Sequence, residues 1–377
     1  KFILAFFLLV PACAFSQSFD ELIAAGDYTK AEALIKAMDS GKPILSIDIP
    51  SGLNGSTGEV GQYVIRAQET IALGLPKIGF FLRQGWNCIG TLRVEDFGLP
   101  KKILEEARGV ATFPSQEDLA LPKIVRTRHK YQAGYVVGLG GSKQFPGALK
   151  MTGLAALRAG AGIVRLFSFE DIGPVPLELI STKWSAKSWK EELKRAQAVF
   201  IGPGLGDVKK LPALLKTVQI PCVLDADALM PNLHFPEDAI LTPHRGEILR
   251  LLNLKKALPE EELFEKAAHF SKSKKVILVL KGAPTFIFFP NRDPVIVPRG
   301  DPGMAKAGSG DVLTGIIAAQ LSAGVPAPKA AILGVWLHAL SGEIAASEKT
   351  SYCLIASDLI EFLPKAFEAV MNLSDSA

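Results

Sequence analysis

The stretch Gly300-Asp-Pro-Gly-Met-Ala-Lys-Ala-Gly-Ser-Gly-Asp-Val-Leu-Thr-Gly315 is the most informative part of the sequence. Small residues dominate it up to Gly310, and an apolar helical pattern begins at Val312. A Gly-Ser-Gly turn that leads into a helix exposes backbone N–H groups beside the positive end of the helix dipole. The pattern therefore predicts an anion-binding site suited to phosphate, with Asp311 in the first helical turn. An Asp at this position also stabilises helices that have no catalytic function, so both roles stay open for Asp311.

From residue 124 onward, apolar strand-like segments alternate with helical ones. Such alternation is typical of βαβ units, so it predicts an α/β fold built on a parallel sheet with helices on both faces. In such folds, ligands bind at the carboxyl ends of the strands. The predicted strands cover residues 135–139, 162–167, 198–201, 221–224, 239–241, 276–280 and 285–289. The predicted helices cover residues 148–159, 259–271, 311–322 and 328–346.

The length of 377 residues suggests two domains, at a prior of roughly 150 residues per domain. Near the N-terminus, residues 19–38 have helical spacing, and strand-like runs follow at residues 42–52, 69–75 and 90–94. Residues 100–123 are charged, contain three prolines and are the best linker candidate. We therefore divide the chain into an upstream domain over residues 1–109 and a larger domain over residues 110–377.

Residues 2–15 form an almost unbroken apolar run. The run is too short to span a membrane, which takes about 20 residues, so we expect no stable membrane insertion. The basic Lys1 before the run and the Ala-Cys-Ala near its end imitate a signal peptide, and a buried strand or helix is the alternative. The sequence downstream has the character of a cytoplasmic protein, and we expect that location.

Composition excludes several classes of function. The net charge of +4 gives no reason to expect a nucleic-acid partner. The four cysteines are scattered without metal-ligand spacing, which argues against a zinc site and against a disulfide framework. The glycine-rich turns Gly138-Leu-Gly-Gly-Ser142 and Ile201-Gly-Pro-Gly-Leu-Gly206 lack the spacing of a dinucleotide fingerprint and of a Walker A loop.

Three further segments carry polar residues at predicted strand ends. Lys281, followed by Gly-Ala-Pro-Thr285, could reach a phosphate, although a plain turn between hairpin strands is the commoner explanation. His244, within Thr242-Pro-His-Arg-Gly-Glu247, could contact a ligand or cap the following helix. Asp225 and Asp227 could organise Mg²⁺ or a ribose, or be structural.

Taken in order, these segments closely resemble the ADP/ATP-dependent NAD(P)H-hydrate dehydratases, which have a ribokinase-like fold. The resemblance covers about residues 110–363 and is specific, because many independent motifs agree in order. The segments are His129-Lys130, Gly140-Gly-Ser142, Pro146-Gly-Ala148, Ala156-Leu-Arg-Ala-Gly-Ala-Gly162, Ile201-Gly-Pro-Gly-Leu205, Leu224-Asp-Ala-Asp-Ala-Leu229, Leu241-Thr-Pro-His244, Leu280-Lys-Gly282, Pro302-Gly-Met-Ala305 and Gly308-Ser-Gly-Asp311.

The resemblance implies a repair lyase that acts on hydrated NADH and NADPH and consumes ADP or ATP, with Mg²⁺. Asp311 would take the proton of the substrate hydroxyl, which then attacks the terminal phosphate, and elimination of phosphate restores the dihydronicotinamide ring. The residues implied to bind the nucleotide are Lys281, Gly282, Ala283, Pro284, Thr285, Gly308, Ser309 and Gly310. Those implied to contact the hydrated substrate are Ala148, Gly204, His244 and Asp311. A homo-oligomer is expected.

The upstream segment Ile47-Asp-Ile-Pro-Ser-Gly-Leu-Asn54 resembles the end of the NAD(P)H-hydrate epimerase domain that precedes the dehydratase in bifunctional members. The resemblance implies a partial Rossmann-like α/β segment in which Asp48 contacts substrate and Ser51 holds K⁺. The family's Asn-Asn-Gly-Gly-Asp-Gly loop has no counterpart before Asp48, and residues 1–38 do not match the usual strand and loop. We therefore expect a truncated epimerase domain without epimerase activity, and K⁺ only if that domain were complete.

Three positions depart from the family pattern, and two other functions remain as alternatives. Asp301, Lys306 and Ala307 replace the Asn, Thr and Gly that the family commonly has, and the added charges could alter nucleotide affinity. A small-molecule kinase of the same fold, acting for instance on a vitamin precursor, would need the same parts for phosphoryl transfer. An inactive nucleotide-binding module is the other alternative, and the intact Asp311 argues against it.

Overall fold

The computed structural model describes residues 3–4, 42–107, 109–206 and 208–375. The helices predicted over residues 19–38 lie outside the described residues. The chain divides into two compact units. The upstream unit ends at Val110 and includes Pro259–Leu263, and the downstream unit comprises Ala111–Leu258 and the residues from Phe264 onward.

The upstream unit contains a four-stranded parallel sheet in the order β1-β2-β3-β4. Its elements are β1 (Ile3–Leu4), β2 (Ile44–Ile47), β3 (Glu69–Leu73), α1 (Gly85–Ile89), β4 (Thr91–Glu95) and α2 (Lys101–Glu106). The three strands expected here are confirmed. Within the apolar run at residues 2–15, the structure describes Ile3 and Leu4, which pair with β2 as the strand alternative expects.

The downstream unit is built on a nine-stranded sheet in the order β13-β12-β11-β10-β9-β8-β5-β6-β7. Its strands are β5 (Tyr135–Leu139), β6 (Ile163–Ser168), β7 (Ile180–Lys183), β8 (Ala198–Ile201), β9 (Cys222–Leu224), β10 (Ile240–Leu241), β11 (Ile277–Leu280), β12 (Thr285–Phe288) and β13 (Val295–Val297). Its helices are α3 (Gln116–Leu119), α4 (Pro146–Arg158), α5 (Ala186–Leu193), α6 (Leu211–Leu215), α7 (Arg245–Leu251), α8 (Glu260–Lys274), α9 (Ser309–Ser322), α10 (Ala327–Cys353) and α11 (Ala356–Asp375). The start of α8, up to Leu263, is assigned to the upstream unit.

All seven strands predicted for this unit are present, and β5 to β11 pair in parallel. The expectation of a parallel sheet needs correction at one edge, where β12 and β13 are antiparallel. The connection from β11 to β12 is too short for a crossover, so the chain turns back as a hairpin.

Two strands were missed by the sequence analysis. β7 has the sequence Ile-Ser-Thr-Lys and is largely exposed at the other edge, so it carries no apolar signal. β13 is buried but has three residues, too few for a recognisable pattern.

The linker predicted over residues 100–123 is shorter in the structure. The predicted range contains α2 and α3, and α3 begins with a capping box in which Ser115 and Asp118 exchange hydrogen bonds. Thr112 already pairs with Val295, the first residue of β13, and the Leu119 side chain is buried in the downstream core. The chain has therefore joined the downstream unit by Thr112.

α10 is longer than the helix predicted over residues 328–346, and its backbone leaves the helical region at Thr350, where φ is 66°. By length and composition, α10 is the one helix of the described residues that could cross a membrane. In its apolar window of 18 residues, 72% is buried inside the protein. This is the behaviour of a core helix and is weak evidence for a membrane span.

The central helices α4 and α9 approach each other closely at Gly315. A Cβ built on this residue would lie 2.2 Å from the Thr152 carbonyl oxygen and 2.8 Å from the Ala155 Cβ. The Gly315 position therefore sets how near the helix that carries Asp311 can lie to α4.

We predict that Gly315→Ala lowers the free energy of unfolding by about 1–3 kcal/mol, because the added methyl group pushes the two helices apart. Gly147→Ala is the matched control, since Gly147 lies in α4 with open space around it and without a positive φ. It should be neutral or stabilising by up to about 1 kcal/mol. Urea denaturation measures both, and equal stabilities for the two variants would contradict the close approach.

We also predict that residues 111–377 fold without the upstream unit, because this part of the chain has its own sheet and core. The isolated fragment should be soluble and melt in one cooperative transition that is also present in the full chain. A molten or insoluble fragment would show that the boundary is misplaced.

Candidate functional site

The polar residues singled out from the sequence follow neighbouring parallel strands of the downstream sheet. Gly204 follows β8, Asp225 follows β9, His244 follows β10, and Lys281 follows β11. Because the carboxyl ends of parallel strands lie at one edge of a sheet, these residues share that edge. Lys281 N–H donates to the Pro243 carbonyl at 2.8 Å, which joins two of these loops.

Lys281 lies at the centre of a buried charged cluster. Its Nζ donates to Asp225 Oδ1 at 2.8 Å and lies 3.7 Å from Glu247 Oε2. The second oxygen of Asp225 accepts a hydrogen bond of 2.8 Å from Thr314 Oγ1, on α9. Asp225 is only 2% exposed, so these contacts compensate the burial of its charge.

Asp225 and Asp227 have different hydrogen-bond partners. Both oxygens of Asp225 are engaged by Lys281 and Thr314, whereas Asp227 accepts a hydrogen bond of 2.9 Å from Gly206 N–H. In the part of the chain that the structure describes, no three His, Cys, Asp or Glu side chains group to form a metal site. Asp225 positions Lys281, and Asp227 supports the turn after β8.

Asp311 lies in the first turn of α9 beside this cluster. Burial raises the pKa of its carboxyl to about 7, with further contributions from Asp225 and Glu247, and Lys281 opposes the shift. The N-cap of α9 is Gly308, and the cap has no side-chain hydrogen bond. A carboxyl group in a buried cluster with a pKa near 7 can take up and release a proton near neutral pH, which suits a general base. A carboxylate that stabilises a helix is most effective when it is fully ionised.

Lys281 remains charged in this environment. Burial alone would lower its pKa, but Asp225, Glu247 and Asp311 outweigh burial, and the pKa of Lys281 is raised. A Cβ built on Gly310 would lie 3.1 Å from Lys281 Nζ. The structure therefore brings Lys281, Gly310 and Asp311 together, as the predicted nucleotide site requires.

The turn Gly308-Ser309-Gly310 opens α9. Gly308 adopts the left-handed conformation with φ of 93°, and a Cβ there would lie 2.7 Å from Met151 Sδ of α4. The first N–H groups of a helix have no acceptor within the helix, so this end of α9 favours an anion. Ser309 N–H donates to the Lys306 carbonyl at 3.3 Å.

The segment from Lys281 to Thr285 forms the turn that was one of its two explanations, and the contact of Lys281 with a phosphate stays a prediction. The segment is the hairpin turn between β11 and β12, in which Thr285 Oγ1 donates to the Gly282 carbonyl at 3.1 Å. Lys281 nevertheless points into the charged cluster. Gly282 and Ala283 are exposed, and Pro284 is buried.

His244 caps α7. Its Nδ1 accepts hydrogen bonds from Gly246 N–H at 2.9 Å and Glu247 N–H at 3.4 Å. Because a neutral imidazole that accepts at Nδ1 carries its proton at Nε2, the other edge of the ring is a donor. The side chain is 59% exposed, so capping and ligand contact are compatible.

Ala148 and Gly204 lie together. Gly204 has a φ of 61°, and a Cβ built there would lie 3.1 Å from the Ala148 Cβ. Both predicted substrate contacts therefore belong to one surface, where the turn after β8 meets the start of α4.

The unusual Asp301 is a structural residue. Its Oδ1 accepts a hydrogen bond of 2.7 Å from Gly303 N–H, and its Oδ2 accepts one of 3.0 Å from Ser351 Oγ. Asp301 thus caps the short 3-10 helix Pro302–Met304 and ties it to the end of α10. Lys306 and Ala307 are exposed.

Asp48 and Ser51 belong to the upstream unit. Asp48 has a φ of 63°, accepts a hydrogen bond of 3.2 Å from Leu73 N–H and pairs with the Lys77 ammonium. A non-glycine residue in this region of backbone space is uncommon and often marks a functional position. Ser51 is half-buried in the turn after β2.

Sequence analysis did not assign Thr314 and Glu247 to the site. Thr314 follows Asp311 by three residues, a spacing that places both on one face of α9. Glu247 follows His244 by three residues, the spacing of a capping box, and accepts a hydrogen bond of 2.9 Å from His244 N–H.

Comparison with protein families identifies two regions. The NAD(P)H-hydrate dehydratase model matches residues 136–365, and the model of the YjeF-related protein N-terminus matches residues 20–79. The second match extends back to residue 20, into the segment that we expected not to match. The interpretation of the upstream domain as truncated is therefore not supported.

Curated relatives carry the name bifunctional NAD(P)H-hydrate repair enzyme. The protein from Moorella thermoacetica is 36% identical in an alignment of 354 residues that covers 85% of this chain and 66% of the relative. The protein from Coxiella burnetii is 34% identical over 91% of this chain and 74% of the relative. This chain thus spans about two thirds to three quarters of the length of these relatives.

Solved structures resemble the downstream part. The ADP/ATP-dependent NAD(P)H-hydrate dehydratase from Bacillus subtilis, co-crystallised with ATP and Mg²⁺, has a TM-score of 0.61 and 30% identity, over 69% of this chain and 99% of that chain. A ribokinase-like superfamily protein from Enterococcus faecalis has a TM-score of 0.61 and 26% identity, over 70% of this chain and 98% of that chain. The expectation of a ribokinase-like fold is confirmed.

The pKa of Asp311 predicts a pH-dependent effect of Asp311→Asn on stability. In the folded wild type, the pKa of about 7 exceeds the ordinary value of 3.8, so the unfolded chain releases this proton first as the pH rises. Wild-type stability therefore falls between about pH 4 and pH 7, by about 1.4 kcal/mol per pKa unit. Asp311→Asn escapes this loss, so it should match wild type near pH 4 and exceed it above pH 7.

Asp118→Asn is the matched control, because the pKa of Asp118 is shifted in the opposite direction from that of Asp311. Burial would raise the pKa of Asp118, but hydrogen bonds from Ser115 and the contact with Arg292 lower it. Asp118 therefore stabilises the fold above its unfolded pKa and loses this effect as the pH falls through its folded pKa. Urea denaturation at several pH values separates the two, and parallel curves for both variants would contradict the buried environment of Asp311.

Proposed function

The chain belongs to the NAD(P)H-hydrate dehydratase family, and on that premise we propose that it dehydrates the S epimer of hydrated NADH and NADPH at the expense of ADP or ATP. The observation that carries this proposal is the cluster at the start of α9. A carboxyl group with a pKa of about 7 lies beside a buried ammonium and a glycine turn. These are the parts that transfer of a phosphoryl group to a hydroxyl requires.

In the proposed reaction, the Asp311 carboxylate accepts the proton of the substrate hydroxyl. The hydroxyl oxygen then attacks the terminal phosphorus of ATP or ADP, and the bond to the leaving ADP or AMP breaks. The phosphate ester next loses phosphate, and a proton leaves the neighbouring carbon, which restores the ring double bond. Because the pKa of Asp311 is near the working pH, the carboxylate is available and basic enough for the first step.

Lys281 and the start of α9 supply positive charge in this scheme. The Lys281 ammonium is held by Asp225 and lies beside Gly310, where the transferred phosphoryl group would be bound. The backbone N–H groups of the glycine turn add fixed dipoles that need no rearrangement during the reaction. His244, Ala148 and Gly204 would contact the hydrated nicotinamide nucleotide.

Mg²⁺ would enter with the nucleotide. No group of three side chains able to hold a metal occurs among the residues that the structure describes. The few carboxylates at this site are enough for an ion that arrives bound to phosphate oxygens, because Mg²⁺ in such sites keeps several waters and takes only one or two carboxylates. The co-crystallisation of the Bacillus subtilis relative with ATP and Mg²⁺ supports this assignment.

The cellular setting is also a proposal. The curated relatives are named bifunctional NAD(P)H-hydrate repair enzymes, which supports a cytoplasmic location. We also propose that the chain forms a homo-oligomer, which size-exclusion chromatography with light scattering would test.

The decisive experiment supplies purified S epimer of hydrated NADH with ATP or ADP and Mg²⁺, and records the dihydronicotinamide absorbance band. We expect the band to return only with nucleotide present. Using the S epimer makes the outcome independent of any epimerase activity of the upstream unit. Consumption of nucleotide on another alcohol would favour the kinase alternative, and nucleotide binding without turnover would favour the inactive module.

We predict that Asp311→Asn lowers the turnover number by on the order of 10²–10⁴-fold, because an amide cannot accept the hydroxyl proton. Nucleotide binding should survive, since the backbone donors and Lys281 are unchanged. Asp118→Asn, on α3, should keep its rate. Steady-state kinetics and calorimetric binding on the same preparations test this, and a fully active Asp311→Asn would return Asp311 to a structural role.

A further inference from the structure

His338 is a buried polar side chain in the middle of α10 that the proposed reaction does not use. Its Nε2 lies 2.9 Å from the carbonyl oxygen of Ser309 and 3.2 Å from Ser309 Oγ. α10 is otherwise largely apolar along this stretch, with Leu337 and Leu333 fully buried. A polar ring in such a place needs a specific partner, and its partner is the first residue of α9.

The ring is neutral in the folded protein. The pKa of His338 is lowered to about 4, chiefly by burial and to a lesser extent by the Lys281 charge, while the hydrogen bond to Ser309 opposes the shift. A neutral imidazole has one N–H. Because a carbonyl oxygen can only accept, the short contact places this proton on Nε2, which donates to Ser309.

The Ser309 carbonyl and the Gly310 N–H belong to one planar trans peptide unit and point in opposite directions. A donor that fixes the carbonyl therefore also fixes the direction of the Gly310 N–H. A Cβ built on Gly310 would lie 3.1 Å from Lys281 Nζ, so the Gly310 backbone lies at the proposed phosphate site. The contact from α10 thus reaches the phosphate site through a single rigid peptide group.

We propose that His338 is a positioning residue for nucleotide binding: its Nε2–H holds the Ser309 carbonyl so that the Gly310 N–H is directed at the transferred phosphate. This inference rests on the proposed function, because it assumes that phosphate binds at the start of α9. His338 touches neither nucleotide nor substrate in this arrangement and acts only through the peptide that follows Ser309.

The test compares three variants of the full chain. His338→Leu keeps much of the ring volume but removes the donor, whereas His338→Gln keeps an amide N–H near the position of Nε2. Leu337→Ala is the control for loss of packing in α10, since Leu337 is buried next to His338 in the chain and its removal takes away no donor. The measured quantities are the Kd for ADP with Mg²⁺, the KM for nucleotide, the kcat and the melting temperature.

We expect the Kd and KM for nucleotide to rise by about tenfold in His338→Leu, which is the scale of one hydrogen bond. His338→Gln should stay within about threefold of wild type. Leu337→Ala should melt earlier without a change in Kd. An unchanged Kd in His338→Leu, an equal loss in His338→Gln, or an equal loss in Leu337→Ala would each overturn the proposal.

A measurement on the wild type keeps the proposal testable if His338→Leu does not fold. Nitrogen-15 NMR of the imidazole should show the Nε2–H tautomer, unchanged between about pH 5 and pH 8, with a signal that shifts when ADP and Mg²⁺ are added. The Nδ1–H tautomer, or no response to ADP, would overturn it. A wild type that binds ADP without dehydrating hydrated NADH refutes the proposed function while leaving the role of His338 to be decided by these binding data.

Discussion

The ion pair between Lys281 and Asp225 is the constraint on which the site depends. Asp225 is almost completely buried, and an unpaired carboxylate in such a place is strongly destabilising, so Lys281 and Thr314 must both be present. These three residues come from the end of β11, the end of β9 and the first turns of α9. Their contacts fix the helix that carries Asp311 relative to two strands of the sheet.

The same cluster determines how Asp311 ionises. Three carboxyl groups, of Asp225, Glu247 and Asp311, lie around the single ammonium of Lys281. Asp225 makes the short contact with the Lys281 ammonium. Asp311 is also partly buried, but it gains less from the Lys281 charge to offset the loss of hydration. Asp225, which is paired at both oxygens, has a structural role. Asp311 can exchange a proton near neutral pH. One lysine thus gives two aspartates different roles.

Sequence alone predicted much of the fold because each glycine turn and polar motif follows an apolar strand, which is a local pattern. It predicted the grouping of Lys281, Gly310 and Asp311 through the family resemblance. It did not predict the contacts of Asp225, since Thr314 lies 89 positions away and Lys281 lies 56 positions away, and no spacing rule connects them. His338, 29 positions from Ser309, escaped for the same reason. β7 was missed because an exposed edge strand has no apolar pattern, and α3 because a single capped turn has no periodicity.

The pairing of Thr112 with the last strand has a consequence for self-association. Thr112 N–H donates to the Pro294 carbonyl, and the Thr112 carbonyl accepts from Ile296 N–H, both at 2.8 Å, so this short segment covers part of the free edge of β13. At the opposite edge, β7 presents exposed Ser181 and Lys183 rather than an apolar row. Open edges with unpaired backbone groups are where sheets of different molecules join into aggregates. The segment that connects the two units therefore also protects the larger sheet from adding strands of a neighbouring molecule.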